Sequence, residues 1–332
     1  MPKVSVIMPA YNAEKYIREA IDSILSQTFH DFEFIILNDC SQDETENIIL
    51  SYQDDRIVYL RNEKNMGVAA TLNRGLAIAK GQYIARMDSD DISMPERFEK
   101  QVELLDAKPS VAVCGCAIKL FDQMGDQGIR SFATKPEQAK MELLYTPCVA
   151  HPAVMIRGST IREHKLVYSL ELEGSEDYGL WWEIAKYGDV VSLPACLLRY
   201  RVHPNQASRN SMHRRERFRK FVDRRMGDLG INLTDEENKL FFRYTCGELQ
   251  GASNEEMHTF IGVLLKVFDA NRRIDYFDGR ACRKSLSRAA FYSVDSAQIT
   301  DDQKKELYRQ LKKHRLSVTP YRLITWVSAL LR

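Results

Sequence analysis

Tyr83-Ile84-Ala85-Arg86-Met87-Asp88-Ser89-Asp90-Asp91 runs a short, largely apolar stretch straight into three carboxylates in four positions. Tyr83 to Met87 reads as a buried strand. In an extended chain, residues two apart point the same way, so Asp88 and Asp90 can converge on one ligand. Their mutual repulsion is costly unless a cation or hydrogen-bond donors compensate it. Hard oxygen ligands suit Mg²⁺ or Mn²⁺, which bind through few carboxylates and complete their shell with water and phosphate. Taken alone, the cluster fits a solvated acidic turn just as well.

Position separates the two readings. Towards the N-terminus, apolar runs alternate with amphipathic stretches. Val4 to Met8 reads as a strand ended by Pro9, and Asn12 as the cap of a helix from about Ala13 to Gln27. Phe32 to Leu37 is a second strand, and Ser41-Gln42-Asp43-Glu44 has capping-box spacing for a helix to about Tyr52. Ile57 to Leu60 is a third strand, followed by a helix from about Val68 to Ala79 that stops at Gly81. Beyond the carboxylates, a helix over about 95–106 and a strand over 111–118 continue the pattern. Strands alternating with helices imply βαβ units and an open sheet covered on both faces, with ligands at the carboxyl ends of the strands. Asn38-Asp39 and Asp88-Ser89-Asp90 both fall there.

The segment 130–208 is less regular, with Glu176-Asp177 leading into a helix that bears Trp181 and Trp182. From about 211 the chain reads as helices without strands. We therefore expect an α/β region over 1–210, divisible near 120, and a helical region over 211–332.

The 332 residues suffice for one large α/β domain and an appendage. A formal net charge of +1 gives no global attraction for nucleic acid. Seven scattered cysteines, odd in number and without Cys-x-x-Cys pairs, argue against a disulfide framework or zinc site and fit a reducing cytoplasm. No stretch approaches the roughly 20 apolar residues of a spanning helix. The tail from Lys304 to Lys313 is basic, and Tyr321 to Leu331 is apolar with an interfacial Trp326. It resembles a segment lying on a membrane surface, and docking on its own domain or in a homodimer explains it about as well. The arginines of 214–225 are interleaved with Phe218, Phe221 and acidic residues, the pattern of a half-buried helix.

Asp39 could accept the imide N–H of a uracil or thymine ring, which cytosine lacks, although on composition alone a helix-capping loop accounts better for its surroundings. Asp177 could remove a proton from an acceptor hydroxyl, or serve only as a dipole partner in a first helical turn. His203 could reach a metal or diphosphate if the chain folds back over the first site.

Together the motifs resemble glycosyltransferase family 2, inverting enzymes of the GT-A fold. The series runs from Val4-Ser5-Val6-Ile7-Met8-Pro9-Ala10-Tyr11-Asn12 through Ser23-Ile24-Leu25-Ser26-Gln27-Thr28 and Asn38-Asp39-Cys40-Ser41. It continues with Asn65-Met66-Gly67, Asn73-Arg74-Gly75, Gly81-Gln82-Tyr83-Ile84 and Asp88-Ser89-Asp90-Asp91, then His151-Pro152, Glu176-Asp177-Tyr178 and Tyr200-Arg201-Val202-His203. The resemblance implies a Rossmann-like mixed sheet flanked by helices. It implies nucleotide contacts from Pro9, Tyr11, Asn12, Asp39, Asn65, Asn73, Asp88 and Ser89. It implies a metal, Mn²⁺ or Mg²⁺, at Asp90 with Asp88 and His203, and catalysis by Asp177 with Glu176 beside it. The implied partners are a nucleotide-sugar donor, by preference a UDP-sugar, and a saccharide or lipid-linked glycan acceptor. Three departures stand out: Asn38 replaces a usual aspartate, Cys40 a usual glycine, and Gly179 a commonly acidic residue.

A sugar nucleotidyltransferase shares this layout but carries a Gly-rich basic loop, for which Pro9-Ala10-Tyr11-Asn12 offers no counterpart. A non-catalytic scaffold would have no need of Asp90 and Asp177 together.

Overall fold

A computed structural model describes residues 1–204, 206 and 212–316. The apolar stretch Tyr321–Leu331 and the side chains of Arg214, Arg215 and Arg217 lie outside the described residues. Among the described residues no helix is long and apolar enough to cross a membrane.

The chain divides into two compact units. The first comprises Met1–Leu143 and Pro147–Arg214, the second Leu144–Thr146 and the chain from Arg215. The first is built on a nine-stranded mixed sheet. Its strands are β1 Val4–Ala10, β2 Phe32–Asn38, β3 Ile57–Arg61, β4 Tyr83–Arg86, β5 Ile92–Ser93, β6 Val111–Asp122, β7 Gly125–Arg130, β8 Met155–Arg157 and β9 Asp189–Arg201. The order is β3-β2-β1-β4-β8-β6-β9-β5, with β7 hydrogen-bonded to β6. β1 to β4 are mutually parallel, β8 runs antiparallel to both β4 and β6, and β9 runs parallel to β6. The carboxyl ends of β1, β2, β4, β6 and β9 therefore share one edge.

The helices of this unit are α1 Ile17–Leu25, α2 Thr45–Leu50, α3 Val68–Ile78, α4 Arg97–Ala107, α5 Pro136–Glu142, α6 Gly158–Glu163 and α7 Glu176–Ile184. Ile17, Ile21 and Ile24 on one face of α1 meet Val4, Val6, Met8, Phe34 and Ile36, all fully buried. Each such side chain contributes roughly 1.5–3 kcal/mol of burial.

Four local readings are corrected. β1 continues through Pro9, which pairs with Leu37, because the β1–β4 ladder has already stopped at Ile7–Arg86 and the missing N–H faces that open side. α1 starts at Ile17, not Ala13, and Asn12 is not its cap: its side-chain carbonyl accepts from Gln42 N at 2.9 Å. α2 starts at Thr45, not Ser41, whose hydroxyl accepts from Asn12 N at 3.0 Å; the capping-box residues tie two loops together instead. The stretch read as irregular holds β8 and the 13-residue β9, masked in sequence because β9 carries Pro194 and register shifts against β6.

The second unit is helical: α8 Met212–Asp228, α9 Asp235–Thr245, α10 Asn254–Ile274, α11 Gly279–Ser296 and α12 Asp301–Lys313. Capping boxes at Thr234, Ser253 and Thr300 start α9, α10 and α12.

Candidate active site

Three carboxylates meet directly after β4. Oxygen atoms of Asp88, Asp90 and Asp91 lie within 4.8 Å of one another, Asp91 buried and the others half-buried. Burial and the neighbouring Asp88 charge hold the Asp90 carboxyl above its ordinary range, and the His203 ring opposes them. Burial pushes Asp91 well above the usual carboxylate range, reinforced by Asp90 and Asp88. Asp91 Oδ2 is buried without a hydrogen-bond partner. A cluster that resists full ionisation and leaves a buried acceptor unmatched is what a divalent cation would relieve, so these residues fit a Mg²⁺ or Mn²⁺ ion. Asp90 and Asp88 would hold it, with His203 beside them.

The loop is fixed from several directions. Arg86, the last residue of β4 and only 4% exposed, pairs with Asp88. Burial works against its charge, but Asp88 more than compensates and raises its pKa. From β9, Arg201 N donates to Asp91 Oδ1 at 2.8 Å and Arg201 Nε donates to the Asp90 carbonyl at 2.8 Å. Its guanidinium lies over Tyr16 and Phe121, and Nη2 reaches Glu19. His203 then places Nε2 at 2.9 Å from Asp90 Oδ2 and packs on Tyr16. The short β5–β9 ladder, with Ile92 opposite Arg199, folds this arm back over the carboxylates. Gln27 anchors the far side of the loop: its buried amide donates to Ser93 Oγ and the Met94 carbonyl and accepts from Phe98 N at the start of α4. That is the structural work of the Ser23–Thr28 motif.

At the end of β2, Asp39 is 4% exposed and accepts three hydrogen bonds. Asn62 Nδ2 and Met66 N reach Oδ1 at 2.7 and 2.8 Å, and Gly67 N reaches Oδ2 at 2.9 Å. Asp39 thus organises the 62–67 loop as well as facing the carboxyl edge. Gly67 has φ +82°, a left-handed backbone that favours glycine, and the Glu173 carboxylate occupies the space beside its Cα. Cys40, standing where the family usually has glycine, indeed has φ +62°. Asn38 bonds Tyr59 Oη and Ser41 N, and is fully buried.

The Glu173 carboxylate, just before α7, lies against Gly67 beyond the end of β3, which brings the N-terminus of α7, Glu176-Asp177, towards the carboxyl edge. Glu176 Oε2 accepts from Gly174 N at 2.5 Å; burial and then Asp177 push its carboxyl up to about 7. Buried Tyr168 ties the two clusters together. Burial raises its hydroxyl, Arg86 lowers it, and Asp177, Glu176 and Asp88 all raise it further. A single side chain that feels all three carboxylates lies within reach of both the loop after β4 and the start of α7. Its hydroxyl is 3.0 Å from Nε2 of His151, whose charging burial and Arg86 suppress.

The remaining residues singled out in sequence are distributed as follows. Pro9 lies near the end of β1, exposed Tyr11 and exposed Asn12 follow that strand at the shared edge, and Ser89 sits half-buried between the two aspartates in sequence. Asn65 Oδ1 accepts from Gly67 N at 3.1 Å. Both ends of the Asn73 amide bond the Tyr168 backbone at 2.8 Å, which fixes Tyr168. Sequence reasoning missed Arg86, Arg201, Asn62 and Tyr168. An arginine inside a buried strand beside three acids was a usable signal for Arg86; Tyr168 carries none.

This is the α/β fold of GT-A nucleotide-sugar transferases, with its carboxylates at the carboxyl edge. Residues 5–163 match the family model described as glycosyl transferase family 2. An uncharacterized glycosyltransferase of Haemophilus influenzae is 34% identical over 249 residues, covering 70% of this chain and 77% of the relative. The putative glycosyltransferase EpsE of Bacillus subtilis is 39% identical over 191 residues, covering 56% of this chain and 68% of its own. In fold, the chain is similar to S. aureus TarS 1–349, solved in complex with UDP-GlcNAc, with a TM-score of 0.58, 18% identity, and coverage of 97% of this chain and 95% of that one. The chain belongs to glycosyltransferase family 2.

Proposed function

We propose that this enzyme moves a sugar from a UDP-sugar to a hydroxyl of a glycan or lipid-linked acceptor by single displacement, with inversion, in surface-polysaccharide assembly. The observation that supports this reading is that buried Tyr168 lies within electrostatic reach of Asp88 as well as of Glu176 and Asp177. A donor diphosphate at Asp88 and Asp90 would then present its sugar towards the start of α7.

When bound, a divalent ion would offset the charge that builds on the departing diphosphate. Asp90 and Asp88 hold that position, Arg86 and Arg201 keep their loop in place, and His203 orients Asp90. Asp39 accepts the imide N–H of uracil through lone-pair capacity left by its three present donors. Asp177 takes the acceptor hydroxyl proton as the acceptor oxygen bonds to the anomeric carbon from the face opposite the leaving group. The bond to the diphosphate breaks and UDP leaves. Glu176, whose carboxyl is held up to about 7, remains largely protonated below neutrality and so limits repulsion beside Asp177. The hexosyl or N-acetylhexosaminyl character of the donor is part of the same proposal.

The test is UDP release from a panel of UDP-sugars with Mn²⁺ and a lipid-linked glycan acceptor pool. Release that depends on both metal and acceptor, and is lost in Asp177→Asn, supports the reading. Undiminished release by a folded Asp177→Asn protein removes Asp177 as the base. Pyrophosphate release from a nucleoside triphosphate would replace the reaction class altogether.

A further inference from the structure

The charge of this chain is divided unevenly. From Arg215 to the C-terminus there are 23 Lys and Arg against 16 Asp and Glu, a net +7, so the remainder carries −6 to give the total of +1. The helix packing brings part of this excess to one end of the unit.

α10 and α11 form an antiparallel hairpin. Asn271 and Phe277 close its turn with two hydrogen bonds, and the start of α10 meets the end of α11 through Gly251 N to the Ser296 carbonyl. α12 runs back along α11: Lys304 Nζ reaches the Asp295 carbonyl at 3.0 Å, and Tyr308 stacks on Phe291 at 6.0 Å. At about 1.5 Å of rise per residue, the last turn of α12 therefore lies level with the first half of α11. Arg272 and Arg273 end α10, Arg283 and Lys284 stand on the first turns of α11, and Lys312 and Lys313 end α12. All six are exposed, at one end of the bundle. None forms an ion pair among the described residues. The nearby acids are Asp269, one turn before Arg272 and Arg273 on α10, then Asp275 and Asp278, and Asp278 already accepts the Arg280 and Ala281 N–H groups as the cap of α11.

The chain leaves α12 at this same end. No acidic residue follows Glu306, and Leu323-Ile324-Thr325-Trp326-Val327-Ser328-Ala329-Leu330-Leu331 is apolar with one tryptophan. Clustered exposed Lys and Arg recognise anionic headgroups, and the apolar, Trp-bearing stretch is in composition one that suits the acyl boundary.

We propose that this end of the helical unit, with Arg272, Arg273, Arg283, Lys284, Lys312 and Lys313, is a docking surface for an anionic lipid membrane. The inference stands apart from the transferase reading, because it uses no residue of the candidate active site.

The test is co-sedimentation of the full chain with vesicles of phosphatidylcholine alone, or with phosphatidylglycerol as about a third of the lipid. The protein is expected on the anionic vesicles and not on the neutral ones, with binding that falls steeply as salt is raised. The quadruple variant R272E/R273E/R283E/K284E should lower partitioning by about tenfold or more. The double variant K312E/K313E, on a different helix, provides the second arm should the first fail to fold, which circular dichroism will report. Equal binding to neutral and anionic vesicles, absence of binding, or wild-type binding by a folded charge-reversed variant would overturn the proposal. So would a lipid-free dimer in light scattering that the same variants dissociate, since the face would then join two copies of the chain. UDP release in free solution should be unchanged in these variants, which keeps failure here distinct from failure of the proposed reaction.

Discussion

His203 Nε2 stands 2.9 Å from Asp90 Oδ2, joining the end of β9 to the loop after β4 across 113 residues of sequence. The contact makes His203 part of the geometry of the carboxylate cluster, beside the β5–β9 pairing and the Tyr16 ring.

His203→Ala is therefore expected to raise the Mn²⁺ concentration needed for half-maximal UDP release by about tenfold or more, the usual effect of losing an orienting partner. A Mn²⁺ titration of wild type and variant measures it. An unchanged midpoint would make the histidine a packing residue only.

Arg86→Met should leave Asp88 without its buried counter-charge. Breaking a buried pair costs on the order of 3–5 kcal/mol, and the lower end applies because the Asp88 side chain is 30% exposed. Metal-free thermal unfolding should drop accordingly, and Mn²⁺ should restore more stability to the variant than to wild type. Equal Mn²⁺ effects in the two proteins would contradict the compensation assigned to Arg86.

Asp39→Asn should destabilise more than its size suggests. Whichever way its amide turns, an NH₂ group faces at least one of the donors that Asp39 now accepts from, so about 2–4 kcal/mol is expected in denaturant unfolding. Stabilisation by UDP should fall as well. Full native stability in Asp39→Asn would mean the 62–67 loop is held by something else.

Glu142 gives the pH prediction. Burial alone pushes its carboxyl up to about 7 from an ordinary 4.5. The folded state therefore binds a proton that the unfolded state has released between those values, so stability is fully present below about 4.5 and declines as pH rises to about 7. The loss is at most about 3 kcal/mol. Glu142→Gln should melt higher than wild type at pH 8 and closer to it at pH 5. Parallel melting curves at both pH values would count against a protonated Glu142.

Much of this architecture was legible in the residues. β2, β3, β4 and α3 follow from apolar runs and a glycine stop, and the acids fall at the sheet edge because strand ends are where βαβ units place loops. What escaped was non-local. Asn12 and Ser41 look like helix caps because their side chains suit that role, yet they bond each other's loops. β9 is concealed by Pro194, and β8 by its three-residue length. Arg86 was visible as a charge in an apolar run, whereas Tyr168 becomes meaningful only once Asn73 holds it within reach of both acidic clusters.

The most direct test of the account is thermal unfolding with UDP, with and without Mn²⁺, for wild type, Asp90→Ala and Asp177→Asn. UDP is expected to stabilise wild type and Asp177→Asn only when Mn²⁺ is present, and to leave Asp90→Ala unshifted. The same Mn²⁺-dependent shift in Asp90→Ala as in wild type would contradict the assignment of the carboxylate cluster after β4 as the metal-diphosphate site.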